Sequence, residues 1–309
     1  MTQIVPDRSS TPTDSMVAPN RSRFPQPLRI FLIAALGVGW PLLALSTLIQ
    51  PDAPFILAAV LLGLALPALV LTHRENGRAG VRALLRDCVR PPTRWWWLLL
   101  AAFGLPAVTW TLGAALGGAQ PFTWGLVAFY TADLIIGALI INIWEEMAWT
   151  GFFQRRAASR RGVIGGSLIT AVFFAGLHLP LTLGGTHSAS QAATSLLYLV
   201  GVAVGVRLLI ARIDGWSGQS LLVVGLLHSS FNATENLLQP DFFWVRIAVT
   251  IALGIAAAAF GRQPHPPPHA QPAGHRSRPP ASPAAEPHDH AVHSARPEAI
   301  RFVESGHAS

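Results

Sequence analysis

The sequence predicts an all-α fold, a polytopic membrane bundle of about eight transmembrane helices. Hydrophobic residues make up 51% of the 309 residues, charged residues make up 12%, and the mean hydropathy is +0.43. So few charges cannot cover a soluble domain of this length, and most of the surface must therefore face lipid. The apolar residues also occur in blocks of about 20, the length at which a helix crosses a hydrocarbon core of roughly 30 Å.

The predicted bundle occupies residues 29–262 and is read from eight apolar blocks in order. These blocks cover residues 29–50, 53–72, 95–116, 122–153, 165–183, 191–210, 218–238 and 243–260. Each tail lacks an apolar period and is rich in Pro with Ser, Thr, Ala or His. Residues 1–28 and 263–309 are therefore expected to be disordered and cytoplasmic.

All 22 basic residues are arginines, which indicates a GC-rich, bacterial genome. They cluster in alternate loops, at 74–94 and at 155–161, whereas 50–54 and 117–121 contain none. This pattern places both termini on the cytoplasmic side of a cell membrane. Orientation accounts for the net charge of +7, so no nucleic-acid partner is predicted.

The arginines at 74–94 recur every four residues. This period fits a basic helix that lies on an anionic leaflet, and it fits a solvated loop equally well.

Polar side chains inside the predicted spans are the candidate functional residues. An ionisable group there costs at least about 2.5 kcal/mol and is expected to face an interior cavity. Counting from the cytoplasmic end of each span at 1.5 Å per residue puts three of them, on three helices, at about 15 to 18 Å. The candidates are Glu145, Glu146, His178, His228 and Asn232.

The spacing of these residues predicts separate roles for the two carboxylates. Glu145 and Glu146 point about 100° apart on a helix, so only one can aim at a common centre. Glu145 would share its face with Asn142 and Trp149, whereas His228 and Asn232 are four apart and share theirs. A carboxylate beside an imidazole can deprotonate water, and an imidazole with an amide can stabilise an oxyanion. The set is sufficient for amide hydrolysis, and no Walker, dinucleotide or HExxH motif competes with it.

These residues resemble the motifs of the type II CAAX prenyl endopeptidases and their bacterial relatives, the CPBP or Abi family of intramembrane proteases. The family pattern is Glu-Glu-x-x-x-Arg, then Phe-x-x-x-His, then His-x-x-x-Asn or Asp, on successive helices. Here it matches Glu145-Glu146, Phe174 with His178, and His228 with Asn232, within residues 134–238.

The resemblance implies an endopeptidase that cleaves a peptide or a membrane-associated protein near the cytoplasmic membrane face. Glu145 and His178 would activate water, and His228 and Asn232 would stabilise the oxyanion. Glu146 would hold the geometry of the site. The set Glu145, His178 and His228 could hold Zn²⁺ or could act without a metal, and the metal-free reading is favoured.

One position departs from the family pattern, because Thr150 stands where the family has Arg. Glu146 would then lack a partner one turn away, which favours its neutral form. The expected substitutes are Arg155, Arg156 or the Thr150 hydroxyl. A catalytically inactive scaffold or immunity protein therefore stays open. A small-solute or proton-coupled transporter also stays open, although no internal repeat supports it.

Overall fold

A computed structural model of the protein describes residues 25–260. The predicted disorder of the two tails therefore lies almost wholly outside the described residues. Within them the protein is helical, and no β-strand is present in this part of the chain. A single isolated bridge joins Ala119 to Leu238.

The described chain forms eight helices, numbered here in chain order. Short 3-10 turns at Thr234–Leu237 and Pro240–Phe242 link the last two helices. The helices are α1 (Gln26–Leu48), α2 (Ala53–Cys88), α3 (Trp96–Ala115), α4 (124–161), α5 (163–184), α6 (Ala189–Trp216), α7 (Leu221–Ala233) and α8 (Phe243–Phe260).

Six helices are long and apolar enough to cross a membrane, counted over residues 25–260. One of these is Trp124–Gly184, which contains Gly162 at φ 73° and ψ 169°. Glycine adopts this non-helical conformation readily. Gly162 therefore divides the element into α4 and α5. By contrast, α7 has only 13 residues and ends in a 3-10 turn. An all-α polytopic bundle is confirmed, and the number of eight spans stays a prediction.

The loops and helix ends lie at two ends of the bundle. At the first end, called the arginine end, residues 89–95, 155–162 and 217–220 come together: the Thr93 amide donates to the Ser217 carbonyl at 2.9 Å, and the Ser220 hydroxyl donates to the Arg90 carbonyl at 2.6 Å. The second, called the opposite end, contains 49–52, 116–123, 185–188 and 234–242. There the Gln120 amide donates to the Leu237 carbonyl at 2.9 Å.

Helix α2 does not stop at the predicted residue 72. It bends at Gly77, where φ is 61°, and continues to Cys88. Arg78, Arg82 and Arg86 are exposed on this extension, while Leu84 is buried. The helical alternative for the basic segment is thus the one observed, and its contact with a lipid leaflet stays a prediction.

The outer surface and the interior of the bundle differ as expected for a protein in lipid. Large apolar side chains such as Ile33, Val172 and Leu197 are mostly exposed. Inside, Gly205 of α6 lies against the backbone of α8, since a Cβ on Gly205 would come within 2.8 Å of the Ile251 Cα. A helix contact this close requires small residues at the crossing point.

Candidate active site

The two adjacent carboxylates lie on an irregular stretch of α4. Residues Ile143–Glu146 are α-helical, but π-helical turns precede and follow them at Ala138–Asn142 and Met147–Gln154. A π-turn holds more residues than an α-turn, so a fourth neighbour no longer returns to the same face. Asn142 accordingly lines a cavity with Glu145, whereas Trp149 is fully buried and packs on Phe31. The shared face predicted for Glu145 and Trp149 is therefore wrong.

Most of the candidate residues line a cavity of about 840 Å³. It lies among α4, α5, α6, α7 and α8, and its apolar wall includes Leu199, Phe231 and Trp244. Glu146 is fully buried and is not among the residues that line the cavity. The four candidates that line it are Glu145, His178, His228 and Asn232.

Glu145 lies between the two imidazoles. One carboxylate oxygen is 3.6 Å from His178 Nε2, and the other is 3.9 Å from His228 Nδ1. The Glu145 side chain is 6% exposed, so little solvent screens these contacts. Three helices thus bring an acid and two imidazoles to one point, as their counted depths predict.

Glu146 is the most extensively bonded carboxylate of the site. Arg207 of α6 binds its two oxygens at 2.6 and 2.9 Å, and both side chains are fully buried. The Thr150 hydroxyl donates to Glu146 at 2.5 Å. His228 Nδ1 lies 2.7 Å from Glu146 Oε1, the oxygen that Arg207 binds at 2.6 Å. Glu146 has no cation one turn away, where Thr150 stands, but a neighbouring helix supplies one, so the neutral form predicted from an unpaired carboxylate is not favoured.

The arginines proposed as substitutes lie elsewhere. Arg155 pairs with Asp87 at 2.6 Å and Asp214 at 2.7 Å, and Arg156 pairs with Glu75 at 2.7 Å. Of the three expected substitutes, Thr150 alone contacts Glu146. The guanidinium comes instead from Arg207.

Arg207 is the residue of the site that the sequence reading missed. The predicted span at 191–210 would place Arg207 near its cytoplasmic end and Arg212 just beyond it. Helix α6 continues to Trp216, so both arginines are buried inside the bundle. The available signal was its neighbourhood: Val206, Leu208 and Leu209 flank Arg207, and a charge within an apolar run is expected to face a partner in the interior.

The Phe174 ring contacts both imidazoles and the Arg207 guanidinium. The Phe174 ring centroid lies 4.3 Å from that of His178 and 5.8 Å from that of His228. The Arg207 guanidinium sits over the same ring at 4.2 Å, within cation–π range. Backbone and carboxylate contacts then orient each imidazole: His178 Nδ1 lies 2.8 Å from the Phe174 carbonyl, as His228 Nδ1 lies against Glu146. Nε2 is consequently the nitrogen that each ring can present to a substrate.

Asn232 completes the polar wall of the cavity. Its Nδ2 lies 3.5 Å from Asn142 Oδ1, and it follows His228 by one helical turn on α7. Helix α7 is itself fixed to α4, because the Ser229 hydroxyl donates to the Leu134 carbonyl at 2.8 Å. The amide and the His228 ring therefore face the cavity from one helix.

A zinc site would need three of these side chains to direct their donor atoms at one point. Within residues 25–260 no group of three His, Cys, Asp or Glu side chains is arranged to hold a metal ion. In particular, the His228 nitrogen nearest to Glu145 already contacts Glu146. The donors as placed therefore do not fit a three-residue zinc site.

Fold and site together define a multi-pass membrane protein with a polar, carboxylate-containing cavity inside its helical bundle. Residues 127–234 match the family described as type II CAAX prenyl endopeptidase Rce1-like. No curated protein matches the sequence significantly. The family match covers about a third of the 309 residues and contains all five candidates. It confirms the resemblance predicted from the three motifs, and this segment is similar to that family.

Proposed function

We propose that the protein is an intramembrane endopeptidase and that Glu145 is its general base. The observation that carries the proposal is the division of labour between adjacent carboxylates. Glu145 lines the cavity beside two imidazoles, whereas Glu146 is neutralised by Arg207 and holds His228. A base needs an accessible carboxylate, and a positioning group needs a saturated one.

In the proposed mechanism, Glu145 and His178 activate the attacking water. Their 3.6 Å separation lets the carboxylate and Nε2 bond one water molecule between them. Glu145 takes a proton as the water oxygen attacks the carbonyl carbon of the scissile peptide. The same proton then passes to the leaving nitrogen as the C–N bond breaks, and the second proton of the water stays on the new carboxyl group, so that a carboxylic acid and an amine are released.

Charge on the carbonyl oxygen is stabilised from α7. In its doubly protonated form, His228 donates from Nδ1 to Glu146 and from Nε2 to the developing oxyanion. The Asn232 amide adds a second donor from the same face. Removing one such donor typically costs 10² to 10³ in rate, so these groups supply a large share of the catalysis.

The substrate we propose is a peptide or a membrane-associated protein segment in an extended conformation. The wall formed by Leu199, Phe231 and Trp244 suits apolar side chains or a lipid group beside the scissile bond. The counted depth of Glu145, about 15 Å from the arginine end, stays part of the proposal. Arg207 weakens the inactive-scaffold alternative, which rested on an unpaired Glu146.

The test is cleavage of a fluorogenic prenylated CAAX peptide by detergent-purified protein. Glu145→Gln keeps the size of the side chain but removes the base, so kcat should fall by at least about 10²-fold. The matched control is Glu75→Gln, because Glu75 is a carboxylate paired with Arg156 away from the cavity. This control should cleave at the wild-type rate.

The same assay is repeated with a second variant and with a chelator. His228→Ala should also lose activity, and a chelator arm decides whether a metal takes part. The base assignment fails when Glu145→Gln cleaves as fast as Glu75→Gln. Silence of the wild type on prenylated and unprenylated peptides alike would favour the scaffold.

A further inference from the structure

The two proposed oxyanion donors of α7 are held to different degrees. His228 is 4% exposed, and its Nδ1 contacts Glu146 at 2.7 Å. Asn232 is exposed and lines the cavity, and its side-chain amide has a single hydrogen-bond partner within residues 25–260. That partner is Asn142 Oδ1 of α4, which lies 3.5 Å from Asn232 Nδ2. The orientation of the Asn232 amide therefore depends on Asn142.

Asn142 can fix that amide because its own position is fixed. It is 2% exposed and ends the π-helical turn Ala138–Asn142, three residues before Glu145. Helices α4 and α7 approach closely beside it, since a Cβ on Gly137 would come within 2.7 Å of Ser229 Oγ and 3.4 Å of Asn142 Oδ1. The absence of a side chain at Gly137 therefore leaves room for the Asn142 carbonyl oxygen next to α7.

The orientation of the Asn232 amide matters because its two ends have opposite hydrogen-bonding character. The nitrogen donates two hydrogen bonds, whereas the oxygen only accepts, and an oxyanion is stabilised by donors. A rotation of the amide by half a turn would place its oxygen against the developing negative charge. Because Asn142 Oδ1 accepts one hydrogen of Asn232 Nδ2, the second hydrogen stays available to a substrate.

We propose that Asn142 is a positioning residue, which orients the Asn232 amide so that Nδ2 faces the carbonyl oxygen of the substrate. The role rests on the proposed function, since the oxyanion forms only in the proposed hydrolysis. The 3.5 Å separation is long for a hydrogen bond, and contacts of catalytic groups often shorten once substrate is bound. Asn142 thus serves Asn232 as Glu146 serves His228, so each donor of α7 has an orienting partner on α4.

The experiment is a double-mutant cycle on peptide cleavage by the full-length protein in detergent. Asn142→Ala removes the acceptor and should lower kcat about 10- to 100-fold. KM should change less than about twofold, because the oxyanion is absent from the ground state. Asn232→Ala removes the donor itself and should lower kcat by about 10²-fold or more. In the double variant, Asn142→Ala should add less than about twofold to that loss, because the group that Asn142 orients is then absent.

Asn236→Ala is the matched control, since Asn236 is hydrogen-bonded to Asp133 at 2.9 Å and does not line the cavity. This control should cleave at nearly the wild-type rate. Asn142→Leu is measured in parallel, because it removes the same acceptor without leaving an empty space. An equal loss from Asn142→Ala in the wild-type and Asn232→Ala backgrounds would overturn the proposal, since Asn142 would then act independently of Asn232.

A second measurement does not depend on cleavage. The chain has five asparagines, so selective nitrogen-15 labelling of their side-chain amides gives a simple NMR spectrum. Order parameters should show that the Asn232 amide is ordered in the wild type and mobile in Asn142→Ala, while the Asn236 amide stays ordered in both proteins. Equal order of the Asn232 amide in both proteins would overturn the proposal. Loss of its order in a protein that cleaves no peptide would contradict the proposed function alone.

Discussion

Two arginine networks cross the bundle, and their bonds are alike although their positions differ. Arg207 joins α6 to Glu146 of α4 at 2.6 Å and is fully buried. Arg155 joins α4 to Asp87 of α2 and Asp214 of α6, and its side chain is 20% exposed. The first network continues through Glu146 to His228 in the cavity wall. The second also bonds the Gln219 carbonyl at the arginine end.

The comparison shows that an ion pair gains a functional role from what its carboxylate contacts next. Asp87 also bonds Arg90, so the Arg155 network returns to the arginine end. Glu146 instead fixes the ring nitrogen of a cavity imidazole. We therefore expect loss of Arg155 to affect how α2, α4 and α6 pack, and loss of Arg207 to affect packing and catalysis together.

The largest expected effect is that of Arg207→Leu. It leaves Glu146 buried without its cation, which should cost about 3–5 kcal/mol in the free energy of unfolding. Arg155→Leu should cost less, about 1–2 kcal/mol, because Asp87 keeps Arg90 and water reaches the site. Denaturant unfolding in detergent measures both variants.

A matched rescue keeps this prediction testable when Arg207→Leu does not fold. In Arg207→Leu with Glu146→Gln the buried charge is gone, so folding should return without activity. Equal losses for Arg207→Leu and Arg155→Leu would remove the distinction between the networks.

A smaller effect is expected for Arg207→Lys. An ammonium keeps the charge but cannot bind both Glu146 oxygens in one plane, so the orientation of His228 loosens. kcat/KM should fall about 10- to 100-fold. Arg155→Lys serves as the control and should change the peptide-cleavage rate less than twofold, roughly, since its network does not touch the cavity. A similar loss in the two lysine variants would contradict the positioning role of Arg207.

The smallest effect is expected at Thr150. Thr150→Val removes one hydrogen bond from a carboxylate that keeps Arg207 and His228, so the free energy of unfolding should fall by about 1–2 kcal/mol. Thermal unfolding of the purified variant measures it. Thr150→Arg recreates the family motif, but it adds a second guanidinium to a fully buried position beside Arg207. It should therefore lower activity, and a gain would show that Arg207 is a poor substitute.

The helices were predictable from the sequence because membrane spans leave a simple signal. The predicted span at 243–260 coincides with α8, and the span at 95–116 differs from α3 by one residue at each end. The motif residues Glu145, His178 and His228 could also be brought together by counting turns, since helical rise is uniform.

The replacement of the missing family Arg by a residue distant in sequence was not predictable in the same way. The partner of Glu146 comes from a residue 61 positions away, on a helix outside the family motifs. Nothing in the local pattern around Thr150 indicates that Arg207 would face it. The π-turns next to Glu145 likewise depend on packing with neighbouring helices, and they redirected Trp149 into the core.

The packed side chains between Glu145 and the arginine end have a consequence for proton conduction across the membrane. A water-filled site that reached both faces of a membrane would conduct protons, and each elementary charge crossing 100 mV would release about 2.3 kcal/mol. Here the aromatic side chains of α4 and the Arg155 network stand between Glu145 and the arginine end. The hydrolysis proposed at Glu145 would therefore leave the membrane electrically insulating.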